Sequence, residues 1–130
     1  MKIIDGTNAV LGRLASFAAK EALKGEEIII VNCNDVIITG NKKSIQEDFK
    51  QKRSRFGSSQ KGPKHHKVSE KIVKRTIRGM LPSPREGRGK QALGRVKCYN
   101  KIPKEFEGKE FFKFETGKKS KFSKVKEFLR

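Results

Sequence analysis

Residues 11–40 read LGRLASFAAKEALKGEEIIIVNCNDVIITG, and the two halves of that stretch carry different periodicities. In the first half Leu11, Leu14, Ala15, Ala18, Ala19, Ala22 and Leu23 keep the spacing of an amphipathic helix until Gly25 stops it. In the second, Ile28, Ile29, Ile30 and Val31, then Val36, Ile37 and Ile38, form unbroken β-branched runs separated by a polar turn, Asn32 to Asp35. Continuous runs of this kind predict strands covered on both faces, as in a parallel sheet between helices. Upstream, Lys2 to Asp5 supplies an earlier strand, and Gly6, Thr7 and Asn8 a turn whose Thr or Asn can cap the helix. Strand, helix and strand at this spacing predict a βαβ unit and an α/β fold class.

Outward from this unit, Thr39 and Gly40 close the third strand and residues 41–53 have helical spacing, with Ile45 and Phe49 inward and Lys42 and Lys43 in the first turn. Positive charge there opposes the helix dipole, a conflict that an anion docked at the N-terminus would resolve. Residues 50–67, KQKRSRFGSSQKGPKHHK, are crowded with lysine and arginine and hold no acidic residue. The loop from Arg53 to Lys67 is therefore expected to be mobile in the free protein and ordered on a polyanion. Ser69 is placed to cap a helix in which Ile72, Val73, Thr76, Ile77 and Met80 share one face and Lys71, Lys74, Arg75 and Arg78 the other. Solvated faces normally mix signs, and here only Glu70 intrudes, so the separation predicts phosphate contact.

Gly79 and Pro82 end that helix. SPREGRGK, residues 83–90, reads as a flexible basic turn before a short helix over 91–95 and a last strand over 96–99. Beyond Pro103, Phe106, Phe111, Phe112, Phe114, Phe122 and Phe128 punctuate a charged tail, whose end over 120–130 predicts a short docked helix. Phe17, within the stripe of Arg13, Lys20 and Lys24 on the first helix, is expected to pack under that tail.

The 130 residues carry 32 Lys plus Arg against 14 Asp plus Glu, a net charge of +18. A free protein repels itself in such a field, so a phosphate backbone is the partner implied. No apolar run approaches the roughly 20 residues of a membrane span, and MKIIDGTN turns polar too soon for a secretory signal; a cytoplasmic address without a membrane partner is expected. Cys33 and Cys98, far apart and outside any CxxC, predict buried thiols rather than a zinc module. Gly40-Asn41-Lys42-Lys43-Ser44 has only the end of a P-loop: its first glycine would have to be Asp35, and Lys43 follows the lysine. His65 and His66 sit beside Lys64 and Lys67, where cations disfavour a protonated imidazole and no metal partner is near. No catalytic residue, cofactor, metal or small-molecule substrate is expected.

Leu11-Gly12-Arg13-Leu14-Ala15-Ser16, Val31-Asn32, Thr39-Gly40-Asn41-Lys42, Arg78-Gly79-Met80-Leu81-Pro82, Ala92-Leu93 and Val96-Lys97-Cys98-Tyr99 resemble, in order over residues 3–103, the family of large-subunit ribosomal proteins numbered thirteen. RGMLP is the most specific piece. Without the tryptophan-containing N-terminal extension and histidine-rich ending of bacterial members, the chain is expected to stand nearer the archaeal and eukaryotic branch. The resemblance implies a three-layer α/β/α domain with a small, mainly parallel sheet. Residues 1–103 would form this RNA-binding domain, basic loop 50–67 included, and residues 104–130 a Phe- and Lys-rich tail docked on it.

The function implied is that of a structural constituent of the large ribosomal subunit, which binds large-subunit ribosomal RNA and helps it fold during assembly. Neighbouring ribosomal proteins are then partners, and no homo-oligomer is needed. The residues expected to meet RNA are Lys42, Lys43, Lys50, Lys52, Arg53, Arg55, Phe56, Lys61, Lys64, His65, His66, Lys67, Lys71, Lys74, Arg75, Arg78, Arg85, Arg88 and Lys90. The cations would neutralise crowded phosphates and release counterions, while Phe56 and the histidines stack on or hydrogen-bond unpaired bases.

Two other readings use the same residues. A DNA-binding or chromatin-type protein would want a helix presenting a set of base-reading side chains, and Lys71 to Arg78 supplies charge without one. A small nucleotide-binding α/β enzyme would use Asp5, Gly6, Asn8 and Thr39 to Lys43 at strand ends, but no acid/base or metal pair accompanies them.

Overall fold

The computed structural model describes residues 1–54, 67–83, 85–113 and 121–128. The βαβ unit is built from β1 (Lys2–Asp5), α1 (Leu11–Leu23) and β2 (Ile28–Val31), with the strands parallel from Lys2↔Ile28 to Asp5↔Val31. Then follow β3 (Ile37–Thr39), α2 (Lys42–Ser54), α3 (Ser69–Gly79), α4 (Gly87–Gly94), β4 (Val96–Cys98), β5 (Phe112–Lys113) and β6 (Phe122–Lys124). The main sheet has the order β4-β2-β1-β5 with every neighbouring pair parallel.

Strand alternation in this register sorts the apolar residues into two cores. Ile4, Ile28, Ile30 and Val96 face the helices, in one cluster with Leu14, Ala15, Ala18, Ala22, Val73, Ile77 and Ala92. Ile3, Ile29 and Val31 face the other side, where Phe106 closes over them with Tyr99, Ile102 and Phe111 around it. β2 is thus buried on both faces, which is why it reads IIIV with no alternation. The third layer is the chain around one 3-10 turn, Lys104–Phe106, rather than an α-helix.

β3 leaves the main sheet. It pairs antiparallel with β6, Ile37↔Lys124 to Thr39↔Phe122, and touches the rest of the fold through a bridge to Val10. Asn32, at φ 58°, and the 3-10 turn Cys33–Asp35 redirect the chain. The place beside β2 goes to β4, fixed by Tyr99 N–H to Ile30 O at 2.8 Å and Cys33 N–H to Tyr99 O at 3.1 Å. The C-terminal segment likewise forms β6 and a 3-10 turn, Val125–Phe128, instead of an α-helix. Val125 is fully buried in the helix-side core, and Lys124 and Lys126 reach Asp35 at 3.4 and 3.6 Å. β5 adds to the free edge of β1, and Phe112 stacks on Phe17 with centroids 5.2 Å apart, as the sequence predicts for Phe17.

Helix ends depart from the local signals. Val10, extended and without a side-chain hydrogen bond, precedes α1, while Thr7 bonds to Asp5 instead of capping. The other end of α1 is held by Arg95, whose guanidinium donates to Ala22 O at 2.9 Å. Ser69 lies inside α3 with its hydroxyl buried and without a hydrogen-bond partner among the described residues, and the N–H of Glu70 is capped by Asn100 Oδ1 at 2.9 Å. α4 begins earlier than the periodicity suggests, so Arg88 and Lys90 stand on a helix rather than in a turn. Its Gly89 is buried where the Pro82 and Ser83 carbonyls approach so closely that a Cβ would clash with backbone. A glycine that reads as a flexible turn is there a packing residue.

Candidate nucleic-acid interface

α3 carries the interface best. Its inner residues Ile72, Val73 and Ile77 are buried against α1, β4 and the turn after β2, which fixes the outer face. On that face Lys71 and Arg78 are exposed and Lys74 and Arg75 half-buried. Among the described residues no carboxylate pairs with Lys71, Lys74 or Arg78. Glu70 in the first turn and Arg78 in the last agree with the helix dipole. Met80, expected inward, is 44% exposed after the helix, and Leu81 takes the buried place. α4 also packs on α1, so residues 80–86 join two basic helices; Arg85, Arg88 and Lys90 are all exposed there.

α2 is peripheral: none of its residues is fully buried, and it rests on the domain through half-buried Ile45 and Phe49. Lys42 and Lys43 are exposed in its first turn, where the N–H of Lys43 donates to Asn41 Oδ1 at 3.0 Å. That cap satisfies one free N–H of the first turn and, being neutral, leaves the charge conflict of Lys42 and Lys43 in place. Lys50, Lys52 and Arg53 belong to the end of the helix rather than to a loop. Lys52 pairs with Asp48 at 3.1 Å, and the Lys52 and Arg53 cations lie 6.0 and 5.9 Å from the Phe49 ring centroid. Lys67 is exposed just ahead of α3. Arg55, Phe56, Lys61, Lys64, His65 and His66, and with them most of the basic loop, lie outside the described residues.

The described residues of this surface line recesses. One, of about 260 Å³, is lined by Leu11, Phe49, Lys52, Lys71, Ile72, Arg75, Thr76 and Gly79. Another, of about 310 Å³, is lined by Gly40, Asn41, Lys42, Lys121, Phe122 and Ser123. Lys121 and the half-exposed Phe122 join Lys42 only through the long-range β3–β6 pairing, so no local sequence signal pointed to them.

A frame with this distribution of charge has close relatives. The family model described as ribosomal protein L13 matches residues 1–105. The chain belongs to the ribosomal protein L13 family. It is 49% identical over 104 residues to the large ribosomal subunit protein uL13 of Thermoplasma volcanium, covering 80% of this chain and 75% of that one. The uL13 of Archaeoglobus fulgidus is 41% identical over 127 residues, 98% of this chain and 80% of that one. That of Thermoplasma acidophilum is 45% identical over 107 residues, 82% and 77% of the two chains. The L13 match runs from β1 into the 3-10 turn at Lys104–Phe106, and the Archaeoglobus similarity continues into the tail.

The strand ends of this L13-family chain are occupied by structural hydrogen bonds. Asp5 Oδ1 accepts from the Thr7 N–H at 3.0 Å, the Thr7 hydroxyl at 2.7 Å and the Asn32 amide at 3.0 Å. Burial alone would raise the Asp5 carboxyl, but Asn32, Thr7 and the charge of Lys113 outweigh it and hold it below its ordinary value. Glu21, charged yet only 8% exposed, is held low by Lys2 at 2.6 Å and Lys24 at 3.3 Å. Carboxyls depressed in the folded state add stability above their unfolded pKa, near 4, and lose it as pH falls through the lower folded value. Asp5→Asn should therefore be less stable than the parent at pH 7, with the gap closing on acidification below about pH 4; thermal melts across a pH series check this, and a gap constant to pH 2 would contradict it.

Cys33 is buried and Cys98 half-buried, and the Ile30↔Cys98 register brings them together. Hydrogen bonding with Cys98 and burial push the Cys33 thiol far up, which keeps it protonated and unreactive. Among the described residues no group of three or more His, Cys, Asp or Glu is arranged to hold a metal, and no helix is long and apolar enough to cross a membrane.

Proposed function

We propose that this protein is a structural constituent of the large ribosomal subunit that binds large-subunit ribosomal RNA and helps it fold during assembly, with no catalytic step of its own. The observation that carries the reading is α3, whose apolar face is anchored in the core while Lys71, Lys74, Arg75 and Arg78 form one cationic face. Family membership supports the same partner. Helix α4 with Arg85, and the exposed lysines of α2, extend the contact, so recognition runs over several RNA segments by shape and phosphate position. Neighbouring ribosomal proteins complete the surroundings, and the cytoplasmic ribosome is the location that follows.

About 6 to 10 phosphate contacts make log affinity fall steeply with log salt, losing roughly 10³ to 10⁵ in affinity between about 50 and 200 mM. Filter binding of purified large-subunit RNA across that range tests the reading, and affinity unchanged with salt would end it. Co-sedimentation of the protein from lysate with the large subunit in high salt is the matching expectation in the cell.

A further inference from the structure

We propose that the cleft between α1, α2 and α3 takes one unpaired nucleotide of ribosomal RNA, its base against Leu11, Phe49 and Ile72 and its phosphate against Lys52, Lys71 and Arg75. The proposal rests on the RNA-binding reading and adds to it a single defined base contact.

The cleft lies where α3 changes character. Lys71 and Arg75 come from its basic face and Ile72 and Thr76 from its apolar face, while Gly79 lies between them. Opposite stand Leu11 at the start of α1 and Phe49 and Lys52 of α2. Its volume of about 260 Å³ is just under the ~300 Å³ at which pockets for whole small molecules begin, and suits one flat ring system. An apolar wall beside three cations matches a nucleotide, which joins an aromatic base to a phosphate. A protein side chain would have to be flat and acidic at once.

Two of the three cations, Lys52 and Arg75, are held in place by their surroundings. Lys52 sits over Phe49 and pairs with Asp48, whose side chain is 59% exposed; such an exposed pair is weak and can exchange its carboxylate for a phosphate. Arg75 is half-buried in the cleft wall one helical turn from Lys71, so the two charges stand on the same side of the cleft for one phosphate. Thr76 gives its hydroxyl proton to Ile72 O at 3.0 Å, so its oxygen lone pairs are the only side-chain acceptor among the described lining residues. A base presenting an N–H donor edge is favoured there.

The test uses the full-length protein bound to purified large-subunit RNA, irradiated at short ultraviolet wavelength, digested with nuclease and read by mass spectrometry. A nucleotide adduct on Phe49 is expected, since residues 71–79 would cross-link through the outer face of α3 with or without the cleft. Gly79→Leu supplies the second measurement: Gly79 lines the cleft and a Cβ there meets nothing within 4 Å, so a bulky side chain is tolerated at the cleft and every charge stays in place. Affinity should fall roughly tenfold with the salt slope unchanged, while Gly79→Ala stays near the parent. Parent-like affinity for Gly79→Leu together with no adduct on Phe49 overturns the cleft and leaves the RNA reading standing. A cross-link from Phe49 to a neighbouring protein in intact subunits, with no RNA adduct, overturns it in favour of a protein occupant. Failure of the unmodified protein to bind RNA removes both proposals. The adduct is read on the unmodified chain, so it decides even if Gly79→Leu does not fold.

Discussion

Replacing Lys71, Lys74, Arg75 and Arg78 together by glutamine should weaken binding to large-subunit RNA by about a hundredfold or more near 0.1 M salt. The salt slope should flatten by roughly 3 units if most of the four meet phosphate, at about 0.9 unit per contact. Glutamine keeps the length and nearly the helix propensity of the residues it replaces, so circular dichroism should be unchanged. The melting temperature should hold or rise slightly, because the parent carries a net charge of +18 and this face contributes self-repulsion without a carboxylate opposite Lys71, Lys74 or Arg78 among the described residues. Filter binding at four or more salt concentrations reads both quantities. A parent-like slope would place the principal contact elsewhere, with the exposed Arg85, Arg88 and Lys90 of the next segment as the first candidates.

What the sequence made legible follows from where burial is local. β2 reads as a strand buried on both faces because IIIV is apolar at every position, and β1 and α1 flank it within one continuous stretch. α3 was legible because its apolar and cationic residues separate by helical position alone. β3 was not. Val36-Ile37-Ile38 looks like another main-sheet strand, and its partner Phe122–Lys124 lies far along a segment that reads as a charged tail. The same distance hid the caps: Asn100 serves α3 and Arg95 serves α1 from positions no local motif connects. Residues 87–90 read as part of a turn because glycine weakens a helix signal. At Gly89 the glycine is instead required by the carbonyls of Pro82 and Ser83. The recess with Lys121 and the cleft at Phe49 likewise depend on packing between segments, which periodicity does not report.

Ile77 and Arg78 are neighbours in the chain and should behave as opposites when each is changed to alanine. Ile77 is fully buried in the helix-side core, with Val73 and Leu14 in the same cluster, whereas Arg78 is exposed on the outer face of α3. Ile77→Ala removes methyl and methylene groups from a packed site and should lower stability by about 2–4 kcal/mol. For a chain of this length that is roughly a 10 °C drop in melting temperature. Its RNA affinity, measured well below the transition, should stay within about threefold of the parent because every cation remains. Arg78→Ala should leave stability within about 0.5 kcal/mol while weakening RNA binding and reducing the salt slope by about one unit. Thermal melts and salt-dependent filter binding on the two variants give four numbers that must cross in this pattern. If Ile77→Ala instead lost RNA binding while staying folded, the position of the cations, and not their charge alone, would be what α3 contributes, and the anchored inner face would count as part of the RNA site.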